Sequence, residues 1–176
     1  LSECMIKMRD FDAAARYAFA AKDIYKEIGD PRENQVFVML SIIYAEKSQW
    51  DKAIEYTTFF YRNLVGLYGP NSRMACGALG NLAQFYLSKG DIEKAREFNQ
   101  KARQAVQNMD TPPLIEELTL SKVDAMIAGK AGEVEKMNAF LEDCYQKAKV
   151  IGEDPMSMMV ETHVRLSYTF YEKGDF

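Results

Sequence analysis

The chain has a single histidine and three cysteines in 176 residues. A lone His163 excludes most histidine-based metal and acid–base sites. Cys4, Cys76 and Cys144 are odd in number and far apart, which speaks against a disulfide framework or a zinc knuckle. No apolar run approaches the roughly 18 residues that a membrane-spanning helix needs. Positive charge is not in excess: 22 Lys and Arg stand against 26 Asp and Glu, a formal net charge of −4. A nucleic-acid binder would show a basic face instead. Gly77-Ala78-Leu79-Gly80 follows no strand and lacks a phosphate-loop pattern, so it reads as two glycines inside a helix. The chain starts at Leu1 without a basic-then-apolar leader, so any targeting segment is expected to lie outside it. Unpaired, scattered cysteines favour a reducing compartment, and a cytoplasmic location is the expectation.

Hydrophobic residues make up 48% and charged residues 27%, the balance of a folded domain. Five prolines, at 31, 70, 112, 113 and 155, recur at steps of 39, 42 and 42. Each follows a turn-like stretch, and proline suits the first turn of a helix, so four helices are expected to begin near them. A second kind of turn falls midway: Arg9-Asp10-Phe11, Ser48-Gln49-Trp50, Gly90-Asp91-Ile92, Gly132-Glu133-Val134 and Gly174-Asp175-Phe176. In three of the five glycine ends one helix, Asp10, Asp91 and Asp175 are natural caps for the next, and the apolar residue is expected to dock into the core. The segments between are rich in helix formers and show no strand alternation. The unit is therefore helix, short turn, helix, proline turn, and a period of this size signals a solenoid of helix pairs.

Slots counted from the apolar turn residue have consistent chemistry. Ten residues before it stand Leu1, Leu40, Leu82, Asp124 and Leu166, and nine before it stand Ser2, Ser41, Ala83, Ala125 and Ser167, all small. Six before it stand Met5, Tyr44, Tyr86, Ala128 and Phe170. These three offsets share a helical face. The small residue lets the partner helix approach, and the aromatic is expected to fill the space between neighbouring pairs. Asp124 and Ala128 break the pattern. A one-residue shift would turn Leu120, Val123 and Ile127 inward, with Gly129-Lys130-Ala131-Gly132 absorbing the extra residue.

These residues resemble tetratricopeptide repeats, the variety of about 42 residues found in kinesin light chains and in bacterial signalling and scaffold proteins. Leu79 to Ala95 carries the resemblance best, followed by Leu40 to Tyr44 with Trp50 to Ala53. The resemblance implies an all-α, right-handed superhelical solenoid of antiparallel helix pairs. It divides the chain into a half unit 1–29, full units 31–69, 70–110 and 112–153, and a half unit 155–176. The chain is then a fragment of a longer one, whose cut ends, 1–28 or 155–176, are expected to promote some self-association.

In such a fold the first helix of each pair faces a concave groove. Positions opposite the packing slots are Gln35, Val38, Met39 and Ile42 in the second unit, Gly77, Gly80, Asn81, Gln84 and Leu87 in the third, and Arg165 and Tyr168 in the fifth. Apolar and amide side chains together suit a peptide or a helix, with the amides pairing its backbone. No catalytic cluster is present. His163 and Cys144 occupy packing slots, Cys76 near a helix start is the one thiol placed where its pKa could be lowered, and Glu116-Glu117 and Glu142-Asp143 read as solvated faces. The Lys and Asn of the chaperone-type carboxylate clamp are absent from the matching slots, held here by Val38, Ile42, Gly80 and Gln84. The kinesin-light-chain asparagine series is matched at Asn81 but not at Met39 or Arg165. The expected function is a non-catalytic protein-interaction module for a peptide or partner domain, without cofactor or metal, nucleic acid or membrane insertion. The alternative is a sensory or regulatory segment of a larger bacterial sensor kinase or transcription regulator.

Overall fold

The computed structural model describes residues 9–152. Seven helices and no strand are found among them: α1 Phe11–Glu27, α2 Glu33–Glu46, α3 Trp50–Tyr68, α4 Arg73–Lys89, α5 Ile92–Gln107, α6 Leu114–Ala131 and α7 Val134–Ile151. The fold is all-α and repeating, the solenoid class expected from the period. The pairs are α2–α3, α4–α5 and α6–α7, and α1 packs against α2. Helices α1–α3 belong to one compact unit ending at Pro70, and α4–α7 to a second beginning at Asn71.

The midway turns are made as the sequence suggests. The Asp10 carboxylate accepts from Ala13 N–H at 3.0 Å and Asp91 from Lys94 N–H at 3.1 Å, capping α1 and α5. In the four described turns the first residue is left-handed, with φ of 60° at Arg9, 54° at Ser48, 92° at Gly90 and 79° at Gly132; the fifth, at Gly174, lies outside the described residues. Geometry is thus kept where glycine is not. The described prolines precede their helices rather than occupying the first turn: Pro31 and Pro70 lie in turns, and Pro113 is the cap residue of α6, while Pro155 lies outside the described residues. Of the apolar turn residues, Phe11, Trp50 and Ile92 are half-buried, but Val134 is 52% exposed and does not dock.

Within the first unit, α2 packs on both α1 and α3. Leu40 and Ala53 are completely buried, and Ser41, 4% exposed, donates its hydroxyl to Val38 O at 2.8 Å. Tyr44 stacks on Tyr56 with ring centroids 5.5 Å apart, and Lys52 Nζ lies 4.8 Å from the Tyr44 centroid. In the second unit Tyr86 stacks on Phe98 at 5.1 Å under Lys94 at 5.2 Å. All three positions recur after 42 residues. The aromatic therefore stacks within its own pair, because the residue six before the turn faces the residue six after it, and Tyr86 and Phe98 also pack against a buried cluster drawn from both pairs of the second unit.

The second unit has the side-by-side packing of a repeat array, with α4 and α5 both against α6. Ala83, Leu87, Ala95, Val123 and Ile127 form one buried cluster spanning both pairs. Each large aliphatic contributes about 2 kcal/mol by leaving water. Leu87, expected on the groove side, is thus core. The proposed register shift is also absent. Helix α6 continues through Gly129, Lys130 and Ala131, and Gly132 ends it with the backbone bonds Gly132 N–H to Gly129 O and Glu133 N–H to Ala128 O. Those match Gly90 to Leu87 and Asp91 to Tyr86. Leu120, Val123 and Ile127 are buried alongside Ala125 and Ala128, since neighbours cover α6 on more than one side. Asp124 keeps its slot because Arg103 Nη2 at 2.5 Å and Asn99 Nδ2 at 2.6 Å both donate to it.

Candidate functional site

The stripe Arg73, Gly77, Gly80, Asn81 and Gln84 follows the 3.6-residue period along α4. Ser72 starts the helix, in extended conformation, by accepting from Ala75 N–H at 3.4 Å. Opposite lies the first part of α6, begun by Pro113, whose carbonyl accepts from Glu116 N–H at 3.0 Å. Glu116 and Glu117 in this first turn suit the positive end of the helix dipole. Gly77 and Gly80 have no side chains to close the space, and a Cβ added at either would meet nothing within 4 Å. The result is a pocket of about 230 Å³. It is lined by Arg73, Cys76, Gly77, Gly80, Asn81 and Gln84 from α4, Val106 from α5, and Ile115, Glu116, Thr119 and Leu120 from α6.

The pocket is apolar in its depth and polar at chosen points. Cys76, Val106 and Leu120 are buried, whereas Ile115 is 50% exposed. The Arg73 guanidinium reaches from α4 to α6 and pairs its Nε with Glu116 Oε1. The other carboxylate oxygen, Glu116 Oε2, is shut from solvent and receives no hydrogen bond. The amides of Asn81, exposed, and Gln84, half-buried, bond to no other side chain among the described residues. Burial, reinforced by the nearby charge of Glu116, pushes the Cys76 thiol up from its ordinary value, the reverse of an activated cysteine. Cys144 is likewise pushed up to about 11 by burial, and its Sγ lies 3.9 Å from Leu118 O.

The expected groove residues separate into three groups. Gly77, Gly80, Asn81 and Gln84 meet in this pocket. Gln35 and Ile42 are exposed and Val38 and Met39 half-buried on α2, in the other compact unit. Arg165 and Tyr168 lie outside the described residues, as do His163 and Cys4. The sequence reading missed Arg73, Ile115, Glu116 and Thr119. A translation by 42 residues carries Arg73 onto Ile115 and Gly77 onto Thr119, a signal hidden by the preferred register shift. Nor are the acidic pairs simply solvated. The Glu116 side chain is only 16% exposed. Asp143 accepts from Ser121 Oγ at 2.6 Å and pairs with Lys147. Ser121 is completely buried in that trio and out of reach of a substrate. No group of three metal-ligating side chains occurs among the described residues, and none of their helices is long and apolar enough to cross a membrane.

No protein-family model matches the sequence, and no curated protein does. Among solved structures the chain is similar to the crystal structure of BtubC (BKLC) from P. vanneervenii, with a TM-score of 0.78 and 18% identity. That match covers all of this chain and 71% of the other. The likeness is one of fold, and places the chain among all-α helical-repeat proteins.

Proposed function

We propose that the chain is a non-catalytic protein-interaction module of tetratricopeptide-repeat type, and that the pocket between α4 and α6 receives part of a peptide or partner domain. The observation carrying this reading is the coincidence of two open glycines, two amides bonded to no other side chain among the described residues, and an apolar floor on facing first helices. Glycines let a ligand backbone come close, and amides can pair it in both senses. The volume lies below the roughly 300–1,000 Å³ of small-molecule and cofactor sites, and suits one or two residues of a chain.

Selection of a random 12-residue peptide display library against the protein tests the reading. Enriched sequences are expected to lose about tenfold in affinity, some 1.4 kcal/mol, in the Asn81→Ala/Gln84→Ala double variant. Unchanged affinity in that variant would move binding off this face.

A further inference from the structure

The pocket is amphipathic along the helix axes. At the shared N-terminal end of α4 and α6 stands Glu116, and the wall beyond it is formed largely by Cys76, Val106, Leu120 and the two glycines. The carboxylate is only half satisfied. Oε1 takes the Arg73 Nε–H, whereas Oε2 is out of water and without a donor. A buried acceptor left unmade is unfavourable, and it recovers that loss when a donor arrives. Arg73 is a loosely committed partner: its side chain is 65% exposed, and an ion pair this wet on the cation's side adds little stability.

An incoming guanidinium could do better than the resident one. It presents parallel N–H groups to both carboxylate oxygens, a geometry that an ammonium lacks. Its aliphatic stem would lie along the apolar wall, as such stems do at protein surfaces. The opposite charge has no comparable receptor here, since Arg73 is the pocket's one cation and is already engaged by Glu116.

Resting on the interaction-module reading above, we propose that this pocket recognises an arginine side chain of a basic partner segment, with Glu116 as its acceptor and Arg73 as the resident competitor that it displaces into solvent. The partner is thereby a peptide carrying arginine rather than an acidic one.

The test uses the whole chain and capped single residues, N-acetyl-arginine N-methylamide and its lysine, citrulline, leucine and glutamate counterparts, titrated while the Gly77, Gly80 and Glu116 amide signals are followed by NMR. The arginine probe is expected to move these signals with an affinity about tenfold above citrulline, which keeps the shape and loses the charge. Glu116→Gln should remove that difference, and Arg73→Ala should tighten arginine binding about threefold by removing the competitor. Equal affinity for arginine and citrulline in the unaltered chain, a preference for glutamate, or weaker arginine binding in Arg73→Ala would each overturn the proposal. The first comparison needs no variant and survives any folding defect. Leucine and citrulline shifting the pocket signals as well as arginine would leave the interaction-module reading standing and sink the arginine preference alone. Pocket signals unmoved by every probe would count against both.

Discussion

Ser48 illustrates what a single residue contributes here. Its φ of 54° puts an L side chain in a region that glycine occupies freely, at a cost of about 1–2 kcal/mol. Glycine fills the equivalent place at 90 and 132. Ser48→Gly is therefore expected to raise stability by about 0.5–1 kcal/mol, after allowing for the greater freedom of glycine in the unfolded chain. Thermal melting checks this, and a fall in the midpoint would show that Ser48 makes a compensating contact. Asp143 gives the pH dependence. Burial by itself raises its pKa, but Lys147 and Ser121 outweigh that and hold the carboxyl below its usual value. A carboxyl depressed by folding stabilises the protein above its unfolded value of about 3.9, and that contribution is lost as pH falls through the lower folded value. The unaltered chain should therefore lose more stability on acidification below about pH 4 than Asp143→Asn does. Parallel melting curves for the two across that range would refute the assignment. The spacing alone puts Lys147 one turn along α7 from Asp143, but Ser121 joins that pair only once α6 lies beside α7.

At the scale of the element, the helix boundaries, the caps at Asp10 and Asp91 and the turn at Gly132 were legible, because glycine, aspartate and proline act locally. The neighbour of each aromatic was not. Tyr86 was expected to fill the space between pairs, and besides packing against the cluster shared by both pairs it stacks on Phe98 within its own. That relation requires knowing which two positions face one another across an antiparallel turn. Tyr86→Ala should cost about 2–4 kcal/mol, less than a fully buried aromatic at the upper end. Chemical denaturation measures it, and a loss below about 0.5 kcal/mol would mean that the stack is incidental. Register in α6 was misread for a related reason. Asp124 looked like an error in an apolar slot because its partners, Asn99 and Arg103, are a helix away.

For the molecule as a whole, the repeat predicted the all-α architecture, since a 42-residue period survives substitution at any one slot. The α4 half of the candidate site was legible for the same reason: Gly77, Gly80, Asn81 and Gln84 share a face by periodicity alone. The α6 half, above all Glu116, needed the packing of one pair on the next. Gly77 and Gly80 expose the tension between stability and binding at this site. Neither has a positive φ, and a methyl group would fit at both. Gly77→Ala and Gly80→Ala should each stabilise the fold by about 0.5–1 kcal/mol, as helix-interior glycines replaced by alanine do. They should also weaken binding of pocket-selected peptides. Variants both more stable and equally good at binding would show that the ligand does not need the bare backbone.

Asp124 carries a last consequence. Its two donors come from Asn99 and Arg103 on the preceding helix, whereas the corresponding places one period later are Leu141 and Tyr145. A tandem copy of residues 112–153 inserted after itself would set a carboxylate against a leucine and a tyrosine. The modules are therefore not interchangeable beads: a polar key fixes which one follows which, and lengthening by duplication is blocked at this joint unless the key is rewritten first.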